Sequence, residues 1–399
     1  MSEAAIEQAG DGGAATRHGI IILCASVMPI MAIVSLIPVL PLLMKEFASV
    51  PGSEFLVPMA LTIPALCVAV FSPFAGWLSD RVGRKKLLVT TLILYAGFGI
   101  IPWFLNDLFQ IIAARVGLGV MEAVIMTVAT VLIGDYFAGA RREKWIALQV
   151  GVGSIAAIIL IAIGGGLGEV FGSRGPFLLY LLALPIALAA AIILFEPTVK
   201  STIADGAKDQ FPLKAVLPLI LTTIGVGIVF YTVVVQLGPI LQLSGEVSPG
   251  TIGLIGALAN VAMAGGSFLF NQFKQNVGPR LLIVGLVLAG IGYAGLSMST
   301  SLFALSAFCI FACIGSGMLL PNMLTWTMRS LPPQMRGRGM GMWTGAFFLG
   351  QFVAPIVVAS MNPVTGGFAQ TFVVYATVIA VAVIGVAVVT RGSVLENQA

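Results

Sequence analysis

Two charged residues, Arg115 and Glu122, stand in the middle of an otherwise apolar run, 108–135. Seven residues apart, on a helix they are separated by about 10.5 Å of rise at nearly the same azimuth, so extended side chains or a water could neutralise one against the other. A carboxyl group there can take up and release a proton, and a nearby guanidinium can bias that exchange. The alternative is a permanent structural ion pair. Glu122 is the one acid well inside any apolar stretch, because Asp107, Asp135, Glu169 and Glu246 fall at the ends. A lone charge at a bilayer centre costs on the order of 2.5–3.5 kcal/mol, so both residues are candidates for proton coupling.

Other chemistries find little support. The four cysteines, Cys24, Cys67, Cys309 and Cys313, all lie in apolar runs, where they read as small packing residues rather than disulfide partners or ligands. With a single histidine, His18, no metal site is expected, and H-E-x-x-H hydrolysis is excluded. The dipeptide Gly-Lys does not occur, so there is no phosphate-binding G-x-x-x-x-G-K-[ST] loop and no ATP-driven pump. The spans offer neither the continuous polar lining nor the filter ring of a channel. No cofactor is expected; the energy source read here is a proton gradient. The chain does not read as an enzyme.

The elements that must hold Arg115 and Glu122 follow from composition. Of 399 residues, 59% are apolar and only 9% charged, with 47 glycines; soluble chains are about a quarter charged. This excludes a soluble enzyme, a nucleic-acid binder and a disordered scaffold. What remains is an all-α integral membrane protein. Crossing the hydrocarbon takes about 20 apolar residues, and twelve stretches qualify: 19–44, 54–78, 86–105, 108–135, 144–170, 175–195, 213–241, 249–273, 279–299, 302–330, 338–361 and 370–391. The first is too long for a signal peptide and lacks a small-residue cleavage site. The alternation of a transmembrane barrel is absent.

Charge in the connecting segments sets an orientation. With the amino end inside, 17 of the 20 Lys and Arg residues fall on the cytoplasmic side; Lys45 and Arg174 fall outside, and Arg115 lies within a span. The positive-inside rule then places both termini in the cytoplasm, with a bacterial inner membrane as the expected location.

One polar segment, Glu196–Pro212, interrupts the rhythm. The organisation it implies is a cytoplasmic tail over 1–18, a six-helix bundle over 19–195, a linker over 196–212, a second six-helix bundle over 213–391 and a tail over 392–399. The halves echo one another at an offset of about 195: Val82-Gly83 recurs as Val277-Gly278, Lys85 as Arg280 and Arg141 as Arg336. A common offset argues for duplication, and paired bundles with a mid-bilayer site at their interface describe an alternating-access transporter. Gly-x-x-x-Gly patterns serve internal packing more often than dimerisation in such a chain, so a monomer is expected.

After the second stretch the sequence reads Gly76-Trp77-Leu78-Ser79-Asp80-Arg81-Val82-Gly83-Arg84-Lys85-Lys86. This resembles, at every defined position, the G-x-x-x-D-R-x-G-R-[KR]-[KR] loop of the major facilitator superfamily, and the twelve stretches, linker and half-repeat extend the resemblance over the whole chain. The resemblance implies that Gly76, Asp80, Arg81, Gly83, Arg84, Asp135 and Arg141 form a cytoplasmic gate that latches the two halves in the outward-facing state. The plain alternative is anchoring of the cations to anionic headgroups. The carboxyl half carries Gln275 and Asn276 where Asp80 and Arg81 would repeat. Pro38-Val39-Leu40-Pro41 resembles the first-helix signature of the twelve-span drug:proton antiporter branch, and Arg115-x-x-x-Gly119 resembles that family's fourth-helix element. Stretch five departs from the branch. Leu160-Ile161 stands where a Gly-Pro is usual, ahead of Gly164 and Gly165. Helix bends are expected at Pro38, Pro41, Gly164, Gly165 and Pro355.

Uncharged polar and soft side chains suggest the substrate cavity: Met31, Met121, Tyr231, Gln236, Asn260, Asn322, Trp326 and Gln351. Methionine and aromatic surfaces adapt to variable apolar ligands, although each of these residues could equally serve as packing or interhelical glue. The implied ligand is small and amphipathic. The sequence therefore reads as a proton-coupled exporter of small amphipathic compounds. The runner-up is an uptake symporter or facilitator for a small organic solute, and the outsider is a receptor or lipid scramblase on a transporter fold. The expected partners are lipids, protons and the substrate, with no nucleic acid.

Overall fold

The structure is a computed structural model describing residues 16–197, 213–331 and 336–396. The tail up to residue 15, the linker over 198–212 with Lys200 and Lys208, residues 397–399, and the side chains of Asp80, Lys214, Arg336, Arg338 and Arg391 lie outside the described residues.

Among the described residues every regular element is helical. The amino-terminal half contains α1 (Thr16–Val34), a 3-10 turn (Ile37–Val39), α2 (Leu40–Glu46), α3 (Ser53–Val82), α4 (Arg84–Ile100), α5 (Leu108–Tyr136), α6 (Gly139–Phe171), a 3-10 stretch (Gly172–Leu182) and α7 (Ala183–Ile193). The carboxyl-terminal half contains α8 (Leu213–Val235), α9 (Leu237–Leu241), α10 (Pro249–Gln272), α11 (Pro279–Met298), α12 (Leu302–Arg329), α13 (Arg336–Thr365) and α14 (Phe368–Glu396). Polar caps mark three starts: the side chains of Asp107, Ser248 and Ser301 accept from the main-chain N–H groups of Gln110, Thr251 and Ala304.

Among the described residues, eleven continuous helical segments are long and apolar enough to cross a membrane. One of them, Gly139–Ile193, has 55 residues, and at 1.5 Å per residue it would span roughly 80 Å if straight. It is two passes. Gly172 adopts φ 68° at the end of α6, a conformation favoured by glycine, and the chain then turns back, the 3-10 stretch packing on α6 and α7 packing on α4 and α1. Twelve passes result.

Three expected spans are built differently from the sequence reading. The first breaks at Ser35 and Leu36, and its last two prolines occupy early positions of the new segments, Pro38 in the 3-10 turn and Pro41 in α2, while Pro29 lies inside α1. Proline lacks the N–H that a continuous helix needs, and the first turn is where that loss costs nothing. The sixth is 3-10 for its first 11 residues. The seventh breaks at Gln236, between α8 and α9. Conversely, α6 runs unbroken through Gly164 and Gly165, and α13 runs unbroken through Pro355.

The apolar core has two principal parts. One is formed by residues between Ile21 and Leu194, joined by Val235. The other is formed by residues between Leu219 and Ile379, joined by Ile33, Ile37 and Ile161 from the first half. The halves meet chiefly where α6 packs on α10 and α3 packs on α13.

Candidate transport site

Arg115 and Glu122 are both buried, at 1% and 2% exposure, but they do not form an ion pair within 4.0 Å. The guanidinium is committed elsewhere. Its Nε donates to the Ala60 carbonyl at 3.0 Å, one terminal nitrogen donates to the Tyr180 hydroxyl at 2.5 Å, and the other donates to the carbonyls of Ala32 at 2.8 Å and Leu61 at 3.1 Å. The local reason is backbone chemistry. Pro64 has no N–H to bind the Ala60 carbonyl four residues back. Ala32 lies in the last turn of α1, where Leu36 N donates to Ile33 instead. Arg115 thus satisfies carbonyls that helix geometry leaves open. Gly119 allows the approach: a Cβ there would lie 2.5 Å from Pro64 Cα.

Glu122 has no such partners. It sits at the midpoint of α5, and its Oε2 is buried without a hydrogen bond. It lines a cavity of about 150 Å³ together with Pro29, Ile33 and Val34 of the first pass, Val68 of α3, Tyr231 of α8 and Gln351 of α13, among others. The cavity therefore lies between the two halves. Gln351, near the middle of α13, is 1% exposed, and neither its Nε2 nor its Oε1 has a partner. A second cavity of about 1010 Å³ shares Val68 and Met126 with the first and is bounded by α3, α5 and the start of α13. From Val68 and Met126 its lining extends through Ser72, Pro73, Thr130 and Val131 toward the ends of α3 and α5.

The other expected cavity residues divide. Tyr231 and Gln351 reach the Glu122 cavity. Met31 does not; it is fully buried in the amino-terminal core, and Met121 packs at the edge of that core. Asn322 clasps a turn instead: its Oδ1 accepts from Gly278 N at 2.9 Å and its Nδ2 donates to Gly278 O at 3.0 Å. Trp326 packs at the edge of the carboxyl-terminal core beside Gly278. Asn260 donates to the Gly256 carbonyl of its own helix. Gln236 is buried at the α8–α9 break with its Oε1 unpaired and is not among the residues lining the Glu122 cavity.

At the face carrying the charged loop, Arg84 meets Asp135. Glu196, just past α7, accepts from the main-chain N–H groups of Arg84 and Lys85 at the start of α4, where a carboxylate also complements the helix dipole. Gly83, at φ 94°, makes room: a Cβ there would lie 3.0 Å from the Glu196 carboxyl carbon. Arg81 stacks 4.0 Å over the Trp77 ring, and Arg141 lies 5.4 Å from the Phe137 ring. Gly76 faces Thr127 of α5. The Arg84, Asp135 and Glu196 contacts join elements of the amino-terminal half; the Asp80 side chain lies outside the described residues.

The opposite face is closed between the halves. A Cβ on Gly165 of α6 would lie 2.6 Å from the Pro249 carbonyl and 2.9 Å from Gly253 Cα. A Cβ on Gly164 would lie closer still to the Ser35 carbonyl at the break of the first pass. The pair serves close approach. Nearby, Glu169 accepts from Gly250 N at 2.9 Å and Lys45 meets Glu246 at 3.4 Å. Glu169 and Glu196 were not singled out as contact residues from the sequence; both lie just beyond long apolar runs, where an acid has a neighbouring helix start to cap. For Arg115 the readable signal was Pro64, which announces a free carbonyl one turn earlier.

Twelve membrane passes in two cores, with a buried acid between them, define a membrane transporter. The Major Facilitator Superfamily model matches residues 22–245 and 219–397, and the chain belongs to that family. Among similar proteins, the multidrug resistance protein MdtG of Enterobacter lignolyticus is 24% identical over 80% of this chain and 79% of its own. The bacillibactin exporter of Bacillus subtilis is 24% identical over 82% and 85%. The class H tetracycline resistance protein of Pasteurella multocida is 28% identical over 45% of each chain, so that match spans less than half of either protein. In structure the chain resembles a bacterial homolog of the human lysosomal transporter Spinster in an inward-facing and occupied conformation, with a TM-score of 0.78, 15% identity, and 95% and 98% of the chains covered.

Proposed function

We propose that this chain exports small amphipathic organic compounds by alternating access, driven by protons that move inward through Glu122. The observation that carries this reading is the free Oε2 of Glu122, buried at the middle of α5 and lining a cavity between the halves. A buried acid with no cation in contact is poised to exchange a proton with whatever enters the cavity. Arg115, held by three carbonyls and a hydroxyl, contributes a fixed positive potential rather than a mobile partner. The exporters among the similar proteins support the direction of transport. With the charged loop and Arg84–Asp135 on the cytoplasmic side of a bacterial inner membrane, the larger cavity opens inward and the Gly165–Gly253 crossing seals the outside.

The test is transport in proteoliposomes under an imposed pH gradient, with Glu122→Gln as the variant. Loss of gradient-driven movement with exchange retained supports the reading; full coupling in the variant defeats it. The unbroken α6, with Leu160-Ile161 where a Gly-Pro is usual, favours a second reading as an uptake carrier. The sign of dye accumulation in cells with and without the protein separates the two.

A further inference from the structure

Gln351 has more capacity than a proton-exchange site requires. A carboxamide offers two donors and an acceptor; here both its nitrogen and its oxygen are buried without partners, at the wall of a cavity whose other lining residues are apolar except Glu122 and Tyr231. Buried polar groups are normally paired, so this side chain is aimed at something that enters. Accepting the Glu122 cavity as the transport site, we propose that Gln351 reads an uncharged amide-type edge, and that the substrates of this chain carry a compact carboxamide, lactam or ureide head on an extended apolar tail.

The chemistry discriminates among heads. An amide edge places a donor and an acceptor side by side, so it can satisfy Oε1 and Nε2 of Gln351 together. An ester supplies acceptors and leaves Oε1 unpaired. An amine supplies donors, which suit Oε1 and Glu122 but leave Nε2 unpaired. A carboxylate would set a second negative charge beside Glu122, and among the described residues no cation lines the cavity, because Arg115 is turned to the backbone.

Size assigns the two parts of the ligand. The Glu122 cavity, at about 150 Å³, is below the roughly 300–1,000 Å³ of sites for drug-sized ligands. It suits a head group only. Through Val68 and Met126 it adjoins the cavity of about 1010 Å³, whose largely apolar walls, including Val131 and Met342, suit a flexible tail. Tyr231 packs at a 52° tilt against Phe347 with ring centroids 5.2 Å apart, giving the small cavity one stiff aromatic side against which a planar head can lie.

The test uses the full chain in lipid nanodiscs with three probes of equal tail length: decanamide, methyl decanoate and decylamine, each competed against radiolabelled decanamide with empty discs as the partition reference. Wild type is expected to bind decanamide about tenfold or more tighter than methyl decanoate, the discrimination that one buried donor–acceptor pair supports. Gln351→Leu is expected to erase this preference by weakening the amide alone. Should that variant fail to fold, Gln351→Glu, of the same size but without the amide donors, is expected to erase it and raise the rank of decylamine. Equal binding of amide and ester to wild type, or an amide preference that survives either folded variant, overturns the proposal. An amide preference in a protein that ignores a pH gradient supports this inference and defeats proton coupling, so the two readings fail separately.

Discussion

Arg115 Nε donates at 3.0 Å to the carbonyl of Ala60, the carbonyl that Pro64 leaves without its helical N–H. A charge in the membrane and a proline in the next helix are thus one feature. The arginine converts a helix defect in α3, together with the frayed end of α1, into a joint that ties three passes and Tyr180. Removing one partner of a buried charged hydrogen bond costs about 1–3 kcal/mol, and four acceptors share this guanidinium. Arg115→Lys, which offers three donors on a single point and no planar fork, is expected to lower stability by about 2–4 kcal/mol. The check is thermal unfolding of the purified protein, with Tm falling in the lysine variant.

Glu122 should behave in the opposite sense. Its Oε2 has no hydrogen bond to lose, and glutamine removes a carboxyl that is costly to bury when ionised. Glu122→Gln is expected to leave Tm unchanged or higher while abolishing movement driven by a pH gradient. Unfolding and transport measured on one preparation separate a lost proton site from a lost fold; a large drop in Tm would show the carboxyl to be structural.

Much of this was legible in the sequence. Composition and the length of the apolar runs sufficed for twelve passes, because hydrocarbon thickness fixes a minimum helix length, and Glu122 was identifiable because no other acid lies so deep. Arg115 was legible as a buried cation but not as a partner of backbone: spacing on one helix suggests Glu122, whereas its acceptors are carbonyls of two other passes and a hydroxyl of a third. The same holds for Asn322. Helix periodicity shows that it faces inward but not that Gly278 waits there with an N–H unpaired by the main chain and a C=O that can take a second donor beside Leu282 N. Gly164 and Gly165 look alike whether they bend a helix or admit a neighbour, and only the positions of Ser35 and Gly253 reveal the neighbours they admit.

Asn322 therefore predicts a stability phenotype rather than a transport one. It makes two bonds to the Gly278 peptide at 2.9 and 3.0 Å, holding the turn between α10 and α11. Asn322→Ala strands the buried Gly278 N–H, while Leu282 N still donates to the Gly278 carbonyl, and should cost about 1–3 kcal/mol. Asn322→Asp keeps the acceptor and should cost less at neutral pH, although it adds a charge that Gly278 O cannot use. Transport per folded molecule should be unchanged in both, measured by normalising uptake or efflux to the folded fraction.

The Gly165–Gly253 crossing closes one face only because both residues lack a side chain. A Cβ on Gly165 would meet Pro249 O at 2.6 Å and Gly253 Cα at 2.9 Å, and one on Gly253 would meet the Ile161 carbonyl at 2.8 Å. These obstacles are main chain, so they cannot swing aside as a flexible side chain would; the halves must part at this face or the helix must shift. Gly165→Ala is accordingly expected to move the population toward opening beside Lys45 and Glu246, which are exposed and 3.4 Å apart across the closed face. Spin labels at Lys45→Cys and Glu246→Cys, with the four native cysteines replaced, report that separation directly by pulsed electron resonance. The variant should shift the distance distribution outward by several ångströms, and Gly164→Ala, which meets the Ser35 carbonyl within the same half, should shift it much less. If both variants leave the distribution unchanged, the crossing is not what holds this face shut.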